Sequence, residues 1–301
     1  MKTVLITGGT GLVGKALTNL LLAKGYRVIV LSRKLPVQIS HPNLQYARWD
    51  VTKKEMDTAA LQQADYIVHL AGAGVMDKKW TAAYKKEIIS SRVDSGNLIA
   101  ATLAATPNKV KAVIGASAIG WYQPGHAPHT EDEAPDSSFL GTTCKLWEES
   151  LQPVTRAGKR LVTLRIGIVL DKNGGALKEF MQPLKFGIAA VLGNGMQVIS
   201  WIHLQDLCRL FVYAIEHENM QGVFNAVAPL PVSNKTLTLA LAKKKRRFYI
   251  PVHVPSFLLK MLLGGRSTEI LKSASVSSKK TEAAGFGYQF NTISAALDDL
   301  V

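Results

Sequence analysis

The chain has 301 residues with 47% hydrophobic content, enough for a sizeable globular core in one or two domains. No stretch approaches the ~20 apolar residues of a membrane-spanning helix, and the N-terminal apolar run Val4-Leu5-Ile6 is too short for a cleavable signal. Lys and Arg outnumber Asp and Glu 36 to 22, a net charge of +14, and the two cysteines, Cys144 and Cys208, suit neither a disulfide framework nor a metal site, so a reducing, cytoplasmic compartment is expected.

The run Val4-Leu5-Ile6 reads as a strand and leads directly into Thr7-Gly8-Gly9-Thr10-Gly11-Leu12-Val13-Gly14. The pattern Leu17, Leu20, Leu21, Leu22 then reads as a helix, and Arg27-Val28-Ile29-Val30-Leu31 as a second strand. Strand, glycine turn, helix and strand in this order build a dinucleotide pyrophosphate site. The glycines permit the tight turn and the close approach of backbone to phosphate, and the helix N-terminus supplies free N–H groups and a positive dipole end. The spacing fits both Gly9-x-Gly11-x-x-Gly14 and Gly8-x-x-Gly11-x-x-Gly14.

Further on, residues 45–49 and 66–71 read as strands, 80–105 as a long helix and 110–117 as a buried strand. Residues 141–151 read as a helix led in by Phe139 and Leu140, and 161–169 as another strand. This alternation predicts an α/β fold with a Rossmann-type, doubly wound parallel sheet. After Asp171 the rhythm changes. Late strands at 198–202 and 223–226 flank a helix at 206–216, and prolines and short helices follow from Pro229. The expected organisation is a dinucleotide-binding domain over residues 1–230, with 171–197 on the substrate side, and a small C-terminal subdomain over 231–301. The run Lys243-Lys244-Lys245-Arg246-Arg247 carries no aromatic interleaving and reads as a solvated helix end rather than a nucleic-acid surface.

Ser32-Arg33-Lys34 closes the second strand, and no Asp or Glu lies between Gly25 and Arg48. An acid there would bind the ribose hydroxyls of NAD, whereas a guanidinium suits the 2′-phosphate of NADP, so NADP(H) is the expected cofactor. Asp50 is placed to accept from the adenine amino group. Leu70-Ala71-Gly72-Ala73 ends the fourth strand with small residues where a larger side chain would meet the cofactor.

Several stretches resemble the short-chain dehydrogenase/reductase superfamily. They include Leu70-Ala71-Gly72-Ala73, Ser91-Arg92-Val93, Gly115-Ala116-Ser117, Cys144-Lys145-Leu146-Trp147-Glu148, Arg165-Ile166-Gly167 and Ser200-Trp201-Ile202-His203 with Asp206. Within the NAD-dependent epimerase/dehydratase group the chain is similar to the atypical, YfcH-like "epimerase family", whose small C-terminal domain of unknown function resembles the tail Gly285-Phe286-Gly287-Tyr288-Gln289-Phe290. The resemblance implies a Ser, a Tyr and a Lys as catalytic groups, Tyr and Lys being four residues apart on one helix face. Ser117 matches the Ser and Lys145 the Lys, but Gly141 stands where the Tyr is expected. Tyr122 is the remaining phenol near the nicotinamide end. Arg92 and Trp80 line the site, Arg92 on the cofactor side; Glu131 matches an acidic position near the substrate pocket; His69 reads as a core histidine; and Asp206 reads as a helix cap.

Two functions follow. One is an NADP(H)-dependent epimerase or oxidoreductase on a small, nucleotide-linked molecule, using Ser117, Lys145 and a non-standard proton donor. The other is a catalytically weak or inactive NADP(H)-binding regulator or scaffold. No membrane or nucleic-acid partner is expected. Homodimers are common in the superfamily, although nothing in this chain indicates one.

Overall fold

The computed structural model describes residues 1–36, 40–245 and 248–301, so Arg246 and Arg247 of the basic run lie outside the described residues. The first half holds strands β1 (Thr3–Thr7), β2 (Arg27–Ser32), β3 (Leu44–Asp50), β4 (Glu55–Met56), β5 (Tyr66–His69), β6 (Ala112–Ala118) and β7 (Gly125–His129). Its helices are α1 (Leu12–Ala23), α2 (Thr58–Gln63), α3 (Ala82–Ala105), α4 (Phe139–Leu151) and α5 (Pro153–Arg156). Beyond them come β8 (Arg160–Ile166), β9 (Ile168–Asp171), α6 (Gly175–Leu184), β10 (Ile188–Leu192), β11 (Val198–Ile199), β12 (Trp201–His203), α7 (Leu204–Glu216) and β13 (Gly222–Ala226). The last part carries β14 (Val232–Ser233), α8 (Asn234–Lys244), β15 (Ile250–Val254), α9 (Ser256–Leu263), α10 (Ser267–Leu271), β16 (Ala274–Val276), α11 (Lys279–Ala283) and α12 (Ile293–Leu300).

Eight strands form the main sheet in the order β13-β8-β6-β5-β1-β2-β3-β4, parallel except for β4. Their side chains alternate between two cores. Val4, Ile6, Val28, Val30 and Ile114 meet Leu17 and Leu21 of α1 and Leu207 and Phe211 of α7. Leu5, Ile29, Ile67 and Val113 meet Leu61 of α2 and Ile99 and Leu103 of α3. Burial on both faces explains why the strands read as continuous apolar runs. From β1 the chain winds outward through β2 and β3, then returns to the other side of β1 with β5. The β1/β5 boundary is therefore the topological switch point, where an open α/β sheet leaves a crevice at its carboxyl ends.

The single strand expected over residues 161–169 is two strands. Gly167 N–H still bonds Ala226 O in the main sheet (3.1 Å), but Ile168 N–H turns to Ser200 O (2.9 Å), and β9 pairs with β12 instead. From this break onward the later segments share a third core. Leu170, Leu177 and Trp201 pack with Leu241, Leu297 and Leu300, so the C-terminal residues are rooted on the 170–201 segment. Two further pairings, β7 with β16 and β10 with β15, join residues far apart in sequence.

Candidate functional site

The glycine turn sits at the switch point. Gly8 has φ +69°, and a Cβ there would lie 2.8 Å from the backbone of Leu70. A Cβ at Gly14 would strike Gly8 O and lie 2.6 Å from Gly9 Cα. These two glycines therefore let β1, the start of α1 and the end of β5 close on one another. Gly11 is the N-cap of α1 and no side chain bonds into the cap. The first-turn N–H groups of Leu12, Val13 and Gly14 have no carbonyl four residues back within the helix, and no acid stands among them. The cradle offers backbone donors and excludes side chains, as a pyrophosphate requires.

The end of β5 is fixed from below. Thr7 Oγ1 accepts from Leu70 N–H and Ala71 N–H, each at 3.2 Å, and donates to His69 Nδ1 at 2.7 Å. His69 Nε2 then donates to Ser95 Oγ at 3.2 Å, and Ser95 Oγ donates to Ser91 O. The network thus assigns a neutral ring protonated on Nε2. Burial lowers the His69 pKa to about 4. Its part is structural, holding the strand end that carries Leu70-Ala71-Gly72-Ala73.

Beneath Gly72 lies Arg92. A Cβ on Gly72 would come within 3.0 Å of its guanidinium carbon, which lies 4.9 Å from the centroid of the Trp147 ring. Arg92 is buried and bonds its own helix carbonyl at Ile88. Among the described residues no carboxylate reaches it. On the far side of β1, Ser32 Oγ and Lys34 fold into a tight turn that leaves Arg33 exposed, without an ion pair among the described residues. Asp50 Oδ1 accepts from Thr52 N–H and Lys53 N–H.

On the β6 side, Ser117 and Tyr122 enter one buried network. Ser117 Oγ donates to Glu148 Oε1 (2.7 Å). Arg165 forks onto the same carboxylate, Nε to Oε1 at 2.9 Å and Nη2 to Oε2 at 3.1 Å. Its Nη1 donates to Tyr122 Oη (3.1 Å) and Glu131 O (3.0 Å), and its face stacks on Trp121 at 3.7 Å. Tyr122 Oη donates to Asn225 Oδ1 (2.6 Å), and Asn225 N–H donates to Glu131 Oε1 (2.8 Å). Burial raises the Tyr122 pKa to about 12, with Arg165 pulling the other way.

Lys145 stands outside this network. Half-exposed on α4, it approaches Glu149 at 3.9 Å. The α4 residue turned toward the end of β6 is its neighbour Cys144, buried, with its thiol pushed up to about 12 by burial and Glu148. Gly141 is packed against the preceding loop, where a Cβ would strike Asp136 O and lie 2.7 Å from its carbonyl carbon. A tyrosine has no room there without moving residues 136–138.

Asp206 is not the cap of its helix. That role falls to His203, whose Nδ1 accepts from Gln205 N–H. The fully buried Asp206 carboxylate instead accepts from Gln289 N–H and Phe290 N–H and pairs with Arg209 at 2.5 Å, tying down the tail. Near the strand ends, Arg266 bonds Met76 O, and Lys272 faces Asp136 at 3.6 Å. Glu148, Arg165 and Asn225 escaped sequence reading because each sits in an unremarkable helix or strand; only a buried charge inside an apolar strand, Arg165 in β8, gave a signal.

A parallel sheet with an uncapped, glycine-walled helix start at its switch point defines the Rossmann-type dinucleotide-binding class. The family profile described as NAD dependent epimerase/dehydratase matches residues 4–226, and a domain of unknown function matches 254–300. The chain belongs to this epimerase family. It is 33% identical over 303 residues to an epimerase family protein of Staphylococcus haemolyticus, covering 100% of this chain and 99% of that one. It is 32% identical over 305 residues to the epimerase family protein SDR39U1 of Bos taurus, covering 99% of each. The crystal structure of human epimerase family protein SDR39U1 with NADPH superposes with a TM-score of 0.87 at 30% identity, over 99% of this chain and 98% of that one.

Proposed function

We propose that this protein binds NADP(H) and acts as an epimerase- or oxidoreductase-like enzyme on a small, nucleotide-linked substrate. The observation that carries the cofactor assignment is the uncapped start of α1 beside an acid-free β2 end whose Arg33 is exposed. The NADPH in the human relative supports it. Residues 8–14 would hold the pyrophosphate, Ser32, Arg33 and Lys34 the 2′-phosphate, Asp50 the adenine, and 70–73 with Arg92 the inner ribose. When bound, the nicotinamide supplies hydride transfer. The substrate would lie over the ends of β5 and β6, between residues 74–80 and the C-terminal segment. The two buried cysteines, both free thiols, support a reducing, cytoplasmic location.

A second reading rests on one observation: Ser117 and Tyr122 are hydrogen-bonded into the Arg165 network while Lys145 lies outside it. That arrangement suits a cofactor-responsive regulator with weak or no catalysis. Titration with NADPH and NADH, followed by tryptophan emission, tests both. NADPH binding that Arg33→Ala weakens about tenfold or more, with NADH little affected, is the expected result. Equal affinity for the two cofactors overturns the NADP(H) assignment. Net NADPH oxidation with carbonyl substrates, or formation of an epimer from nucleotide sugars with the cofactor regenerated, then separates enzyme from regulator.

A further inference from the structure

The β10–β15 ribbon and α9 present apolar side chains that the described residues leave uncovered. Phe186 and Phe248 are 82% and 89% exposed, and Phe257 and Met261 are each 72% exposed. Phe186 and Phe248 flank the start of the β10–β15 ribbon and Phe257 and Met261 lie past its other end, with the exposed Ile250 and Val252 along the strand between them. Ile188 pairs with Ile250 at the start of the β10–β15 ribbon, and Ile250 N–H bonds Gly187 O, which brings the 186 and 248 positions side by side. Pro255 leads straight from β15 into α9, where Phe257 and Met261 stand four residues apart on one helical face. Leu259, Ala189 and Val191 are buried and anchor the two elements to the body.

The two segments that build this face carry lysines and no acids of their own, although Asp298 of α12 pairs with Lys244 beside them. No Asp or Glu occurs between Glu179 and Asp206 or between Glu218 and Glu269, the two segments that build it. Lys185, Lys243, Lys245 and Lys260 are exposed on them. Single aromatic and aliphatic side chains here project from an edge ribbon and a short helix, with lysines alongside. That geometry suits insertion among lipid headgroups, with lysine stems reaching to phosphate, better than the groove a protein partner requires.

We infer that the β10–β15 ribbon and α9 form a peripheral docking surface for an anionic lipid bilayer, with Phe186, Phe248, Phe257 and Met261 entering the headgroup region. The expectation of no membrane partner rested on the lack of a spanning segment, which peripheral binding does not need.

Sedimentation of the full-length protein with phosphatidylcholine vesicles, with and without phosphatidylglycerol, tests this. A triple variant, Phe248→Glu, Phe257→Glu and Met261→Glu, provides the comparison, with NADPH titration as the check that its fold is intact. The expected result is binding to the anionic vesicles that weakens with added salt and is about tenfold or more weaker in the variant. No binding to anionic vesicles at low salt overturns the inference. So does equal binding by the variant, or concentration-dependent self-association that the three substitutions abolish, since a second copy would then cover the face.

Discussion

The Arg165 guanidinium grips the Glu148 carboxylate at two points, 2.9 and 3.1 Å, with both side chains almost wholly buried. Burial works against the Arg165 charge, and the hydrogen bonds and charge of Glu148 more than restore it, so its pKa is raised. The pair joins α4 to β8 and, through Tyr122, Asn225 and Glu131, fixes the loop after β6 and the end of β13.

Breaking that pair from one side leaves a buried charge unmatched. Glu148→Gln or Arg165→Met is expected to lower unfolding free energy by about 3–5 kcal/mol each. The double variant Glu148→Gln with Arg165→Met is expected to lose less than the sum, because neither charge is then stranded. Urea unfolding of the four proteins reads this directly. Additive losses would mean that the two side chains do not act as a unit.

His69 predicts an acid-side loss of stability. Its folded pKa of about 4 lies below the unfolded value of 6.5, so the unfolded chain takes up the proton first as pH falls. The contribution is therefore complete above about pH 6.5 and is lost progressively toward pH 4, by about 3 kcal/mol in all. His203 is also lowered by burial and adds in the same direction. His69→Asn is expected to flatten the slope of unfolding free energy between pH 6.5 and 4 without abolishing it. An unchanged slope would show that His69 takes up no proton in that window.

The two parts of the chain were unequally legible. The glycine turn, most of the two-sided apolar strands and the helices α1, α3, α4 and α7 follow periodic or turn-specific patterns that local sequence encodes and lie within a few residues of expectation, whereas the short α2 was not anticipated and the 161–169 strand is split. The β7–β16 and β10–β15 pairings join residues such as Gly125 with Ala274 and Ile188 with Ile250, far apart in the chain, which no local pattern carries. The same holds at the site. The resemblance pointed to Lys145, which stands exposed on α4, whereas the inward-facing Cys144 and Glu148 beside it take their places from contacts with other elements. Asp206 looked like a cap because it stands in a helix's first turn; its real partners, Gln289 and Phe290, are more than 80 residues away.

Gly141 sets two effects against each other. In an exposed helix interior, glycine to alanine gains about 1 kcal/mol of helix propensity. Here the added methyl meets Asp136, whose backbone is held by a 2.7 Å bond to Trp121 O and whose carboxylate faces Lys272. Overpacking of this kind costs about 1–3 kcal/mol. Gly141→Ala is therefore expected to be destabilising in urea, and Gly141→Tyr more so. A stabilised alanine variant would show that the 136–138 loop moves aside freely, which would also make room for a phenol at this position.

The tail offers the last test. The Asp206 carboxylate, fully buried, holds the N–H groups of Gln289 and Phe290 and the Arg209 guanidinium at once. Asp206→Asn keeps the size but removes the charge and turns an amide donor toward groups that already donate. The expected loss is about 2–4 kcal/mol, from charge-assisted bonds that become unmatched. Because those bonds tie residues 289–290 to α7, the loss concentrates at the tail. Phe290 stacks on His203 at 3.8 Å, so freeing it also opens the start of that helix. Limited proteolysis followed by mass spectrometry is expected to show faster cleavage near residues 285–292 in the variant, while NADPH titration stays close to wild type. Cleavage spread evenly over the chain would instead mean that Asp206 supports the whole fold rather than the attachment of its C-terminal end.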